Sequence, residues 1–122
     1  MTLLIVLALA LALVQFWILP LIFSLGSFEY LLSNRDNPDA NETVYCARAK
    51  RAAANLQESL PAFLVLGVLS VVMQVDNSML MIYWLAARAA FAASYIVGVR
   101  YIRTVFWLGS LACLVMMALS LI

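Results

Sequence analysis

The sequence predicts an all-α integral membrane protein built as a bundle of four transmembrane helices. Three observations lead there. Of the 122 residues 67% are apolar and only 11% charged, too few charges to coat a soluble domain of this size. The apolar residues fall in runs long enough to cross a hydrocarbon core of about 30 Å. The charges are concentrated in one polar segment and at a few helix positions. The length fits one domain over residues 1-122.

The first run extends from about Thr2 to Leu25, uncharged, with Gln15 as its one strongly polar interruption. It is long enough to span. It lacks the basic start and small-residue cleavage site of a secretory signal, so it is expected to stay in the mature chain. Pro20 is placed to kink its later half. Residues 26-43 form the one polar segment, carrying Glu29, Arg35, Asp36, Asp39 and Glu42, with Asn37-Pro38 as a turn signal. A loop is expected, with a short helical turn around Phe28 to Leu32.

The second helix is expected from Val44 to Met73, about 45 Å at 1.5 Å per residue, so its first turns project beyond the apolar core. Pro61 lies inside it, tolerable where neighbouring helices satisfy the freed carbonyl. Asp76-Asn77-Ser78 is a short turn that returns the third helix, Met79 to Val99, antiparallel to the second. The fourth runs from Tyr101 to Leu121. Tyr83, Trp84, Tyr101 and Trp107 fall near helix ends, where amphipathic rings favour the membrane interface. The alanine-rich stretch Ala86 to Ala93 suits close helix packing.

Six of the seven basic residues fall on one side: Arg35, Arg48, Lys50 and Arg51 at the first loop and second-helix entry, Arg100 and Arg103 at the third connection. By the positive-inside rule these connections are cytoplasmic and both termini non-cytoplasmic, as in a bacterial inner membrane. The sequon Asn41-Glu42-Thr43 then faces the wrong compartment for glycosylation. A net charge of +1 without an interleaved basic and aromatic surface argues against a nucleic-acid partner. The chain has no histidine, and Cys46 and Cys113 are far apart, so metal, haem and histidine-based catalysis lack support.

Function is sought in a polar stripe. Arg48, Arg51, Asn55 and Glu58 follow at spacings of three, four and three residues and share about 80° of one helix face. Ionisable residues in a spanning helix are costly and mark functional sites by default. Arg88 is the deepest charge, about 13 Å up the third helix, and Glu58 is the one acid near that depth. Tyr95 shares a face with Arg88, and Arg103 stands at the rim of the same zone. Such a set suits a small zwitterionic peptide with extra negative charge: guanidinium groups for carboxylates, Asn and Glu for ammonium or amide groups. An apolar co-substrate could enter from the lipid.

Arg51-Ala-Ala-Ala-Asn55-Leu-Gln-Glu58, followed by Pro61 and Phe63, resembles the second-helix motif of the membrane-associated eicosanoid and glutathione metabolism (MAPEG) family. Ala87-Arg88 to Tyr95, with Arg103-Thr104 following, resembles its later motif, and short uncharacterised bacterial members look closer than the eicosanoid enzymes. The resemblance covers nearly the whole chain. It implies a homotrimer of four-helix bundles binding glutathione between subunits, in a pocket open to the cytoplasm. Arg51, Asn55 and Glu58 would hold the peptide's polar ends, Tyr95 would hydrogen-bond to it, and Arg88 belongs to the same binding set. Arg103 would be the catalytic residue, near the sulfur, favouring the thiolate. The implied activity is that of a glutathione-dependent transferase or peroxidase acting on a lipophilic small molecule or lipid. This sequence departs from the pattern at Ser59, where several eicosanoid enzymes have tyrosine, at Val99, and in the short spacing from Tyr95 to Arg103.

Other roles stand beside these. Glu58 and Arg88 could form a structural ion pair between the second and third helices. Arg48, Lys50 and Arg100 read as topology and headgroup anchors. A non-catalytic binding protein, or a small subunit of a larger membrane complex, is the alternative function. A small multidrug transporter with an essential first-helix glutamate is disfavoured, because this first helix carries no charge.

Overall fold

A computed structural model of the chain describes residues 1–23 and 43–122. Its four helices are α1 (Thr2–Phe23), α2 (Val44–Val72), α3 (Ser78–Val97) and α4 (Arg100–Leu121), each long and apolar enough to cross a membrane. The polar loop expected over 26-43, its helical turn near Phe28, the Asn37-Pro38 turn and the last two residues of the first run lie outside the described residues, Thr43 excepted.

Within α1, residues Val14–Ile18 wind as a π-helix, and the Leu19 N–H reaches back to the Val14 carbonyl. The sequence supplies the cause one residue later: the Pro20 ring conflicts with the carbonyl four residues back, and a widened turn relieves the conflict. α2 begins at Thr43, whose Oγ1 accepts the Cys46 N–H at 3.0 Å as an N-cap. The helix covers 29 residues, about 44 Å, with Pro61 inside it.

The core follows helical periodicity. On α3, Met81, Trp84, Arg88 and Phe91 recur at intervals of three and four and are all buried. On α2 the inward seam is Leu56, Leu60, Phe63, Gly67 and Ser70. Phe63 and Trp84 stack with ring centroids 3.9 Å apart. Contacts of this kind hold helices together in lipid, where apolar burial alone gives no drive. At Gly67 three helices converge: an added Cβ would lie 3.2 Å from Ile5 of α1 and 3.2 Å from Met81 of α3.

The turn between α2 and α3 is fastened by polar side chains. Buried Asn77 donates to Ser70 Oγ at 2.8 Å, and its carbonyl oxygen accepts from Ser120 Oγ of α4 at 2.9 Å. Asp76 accepts from the hydroxyl and the backbone N–H of Ser78, and these bonds hold its exposed carboxyl below the ordinary carboxylate range. α3 starts one residue before the expected Met79, within this turn, and ends at Val97 rather than Val99. The cause of the early end is Gly98, which takes a left-handed conformation at φ 95° and closes the helix. The α3 and α4 helices then pair over most of their length.

Candidate functional site

The candidate side chains Arg51, Asn55, Tyr95 and Arg103 gather at the end of the bundle that holds Thr43 and Gly98, the basic end. Asn55 lies 17 residues from the far end of α2, and Tyr95 lies 17 from the start of α3. At 1.5 Å per residue both stand at about 26 Å, level with one another. The tight Gly98–Val99 connection brings the first turn of α4 back to that level, and with it Arg103. Asn55, Phe91, Tyr95, Arg103, Thr104 and Trp107 line one cleft of about 200 Å³.

Tyr95 is the platform of this cleft. The Arg103 guanidinium carbon is 4.4 Å from the Tyr95 ring centroid, and that of Arg51 is 5.9 Å away. Phe91 meets the same ring at 5.7 Å and fixes its tilt. Two cations within about 6 Å of one ring lie in the range where the ring quadrupole attracts them. The buried Oδ1 of Asn55 has no hydrogen-bond partner among the described residues. The cleft therefore offers guanidinium donors for an anion, with the enclosed and unpartnered amide oxygen of Asn55 beside it.

Of the residues singled out in the sequence, Asn55, Tyr95 and Arg103 line the cleft and Arg51 stands against its platform. Glu58 and Arg88 do not line it. Glu58 is exposed on α2, outside the inward seam. Arg88 is 1% exposed and occupies a core position, its guanidinium carbon 4.7 Å from the Phe91 ring centroid, behind the cleft wall. All three of its nitrogens lack a hydrogen-bond partner among the described residues. The expected Glu58–Arg88 ion pair is thus not closed within the single chain.

Three cleft residues escaped the sequence argument as site residues. Phe91 is four residues before Tyr95, and Thr104 and Trp107 are one and four after Arg103, so the helical repeat alone places them near residues already marked. Trp107 was assigned to the membrane interface because its ring lies near a helix end. Gln15 was also passed over: its side chain is 3% exposed within the π-helical turn, and both polar atoms of its amide lack partners among the described residues. An isolated amide in an otherwise apolar run was the available signal.

Fold and cleft together define a small four-helix membrane protein with a cationic, aromatic-floored cleft near one end of its helices. The model of the MAPEG family matches residues 2–122, essentially the entire chain, and the protein belongs to that family. Comparison with curated proteins and with solved structures gives no significant match.

Proposed function

We propose that the protein binds glutathione at the Tyr95 cleft and uses it as a transferase or peroxidase on lipophilic electrophiles, in a trimer of identical subunits. The observation that carries this reading is the clustering of Arg51 and Arg103 on the Tyr95 ring, beside the unpartnered Asn55 amide oxygen, in a member of the MAPEG family. Arg51 supplies a fork for a peptide carboxylate, and Asn55 Oδ1 accepts from an amide or ammonium group. Tyr95 offers a hydroxyl and a ring, and Arg103 stands where it can favour a thiolate. A thiol near pKa 8.5 is mostly protonated at neutral pH, and an adjacent guanidinium raises its ionised fraction. Glutathione, when bound, supplies that sulfur nucleophile. Phe91 and Trp107 give the cleft an apolar wall for a lipid-soluble partner.

Two features support a site shared between subunits. At about 200 Å³ the cleft of one chain falls below the ~300 Å³ lower end of ordinary ligand sites, so one subunit supplies part of it. Arg51 and Glu58 are exposed on the single chain, Glu58 about 21 Å along α2 from its far end. A carboxylate there is costly against lipid, and a neighbouring subunit with a bound peptide relieves the cost. Arg88 and Glu58 then belong to the binding set indirectly, Arg88 holding its charge behind the wall and Glu58 facing the neighbour. Arg35, Lys50 and Arg100 favour a cytoplasmic location for the basic end, with the termini on the opposite side.

The test is the ionisation of bound glutathione, followed by thiolate ultraviolet absorbance, together with turnover of a lipophilic electrophile by detergent-purified protein. Arg103→Ala is expected to move the thiol midpoint up by about one pH unit, a tenfold smaller thiolate fraction at neutral pH, and to lower turnover in step. Binding without thiolate formation or turnover in the wild type would favour the alternative, a non-catalytic binding protein or a subunit of a larger membrane complex.

A further inference from the structure

We propose that Arg48 is a positioning residue that clamps the α3–α4 turn onto α2 and so holds Tyr95 and Arg103 in the cleft. Sequence position alone suggested a headgroup anchor. The geometry points elsewhere. Arg48 Nη1 donates to the Ile96 carbonyl at 3.2 Å, a contact that bridges α2 to the last turn of α3. That carbonyl is among those a helix end leaves open, because the Gly98 and Val99 N–H groups both return to Ser94. A guanidinium there also meets the negative end of the helix dipole.

Gly98 completes the clamp. A Cβ at this position would lie 2.9 Å from Arg48 Nη1, 3.1 Å from Cζ and 3.1 Å from Nη2. The face of the guanidinium therefore lies flat on the backbone of the turn, in space that glycine alone leaves open. The group also lies near the Tyr45 ring, 6.0 Å from the centroid. Arg48, Arg51 and Asn55 form one stripe along α2 that tracks the last two turns of α3: Arg48 on the Ile96 carbonyl, Arg51 on the Tyr95 ring, Asn55 in the cleft. Tyr95 lies three residues before Gly98 and Arg103 five after it, so a change in the turn angle alters the Tyr95–Arg103 contact.

The functional consequence rests on glutathione binding as proposed above, and the experiment separates the two. Arg48→Ala and Arg48→Lys are compared with wild type by amide hydrogen exchange over residues 94–104 and by glutathione titration with thiolate absorbance. For Arg48→Ala the Gly98 and Val99 amides are expected to exchange about tenfold faster. Affinity should stay within about threefold, because Arg51 and Asn55 remain on α2, while the thiolate fraction falls about tenfold as Arg103 leaves its place. Arg48→Lys, which keeps the charge at the helix end, restores protection in part. Unchanged exchange in Arg48→Ala overturns the clamp. Faster exchange with an unchanged thiolate fraction overturns its role in placing Arg103. If wild type binds no glutathione, the functional reading fails, while the exchange comparison still decides whether Arg48 holds the turn.

Discussion

Tyr95 does at the scale of one residue what no other side chain in the cleft does: it meets two guanidinium groups on one ring. The ring matters more to this arrangement than the hydroxyl. Tyr95→Phe should keep both cation contacts and lower glutathione affinity by less than about threefold. Tyr95→Ala removes both and should cost about 1–2 kcal/mol, roughly five- to thirtyfold in the dissociation constant measured by titration. Equal losses in the two variants would transfer the role to the hydroxyl. Asn55 was legible as a candidate from its place in the polar stripe of the second helix, Tyr95 from the helix face it shares with Arg88, and Arg103 from its charge at the rim of the same zone. The seclusion of Arg88 was not legible. Its register with Met81, Trp84 and Phe91 turns it inward, and whether a seam meets a cleft or a core depends on how α3 and α4 pair, which spacing does not specify.

At the scale of elements, the ends of the helices carry most of the specific chemistry. The four spans could be read from apolar length alone, since a bilayer admits few alternatives to a helix. Their ends depended on local polar groups, and the Gly98 stop in α3 and the π-turn before Pro20 required a three-dimensional view. At the far end, Asn77→Ala removes the buried amide's two links, to Ser70 and to Ser120, while each hydroxyl keeps its bond to a backbone carbonyl of its own helix, Leu66 or Met117. It should destabilise the bundle by about 1–3 kcal/mol, seen as a lower thermal midpoint in detergent, with glutathione affinity unchanged at the opposite end. The Asp76 turn adds a pH dependence. Its carboxyl is held below the ordinary value by Ser78, so its stabilising effect is present above the unfolded-state value and is lost as pH falls through the folded one. Acid titration of thermal stability should show a dependence in that range that Asp76→Asn lacks. An identical profile for the variant would mean that the Ser78 bonds do not stabilise the turn.

At the scale of the whole molecule, one chain presents a contradiction that the proposed trimer would resolve. Among the described residues Arg51 and Glu58 are exposed on one helix, and the cleft, at about 200 Å³, is small for a tripeptide-sized ligand. In the proposed trimer the exposed Arg51 and Glu58 of the α2 stripe would face the neighbouring subunit. The central claim is that Arg51, Asn55 and Glu58 of α2 and the Tyr95 cleft together bind glutathione. The most direct test is calorimetric titration of glutathione into the detergent-purified protein beside Arg51→Ala and Glu58→Ala variants of unchanged oligomeric size. Saturable binding in the wild type, lost in both folded variants, is the predicted result. Absence of binding at millimolar glutathione, or undiminished binding in the variants, would contradict the account.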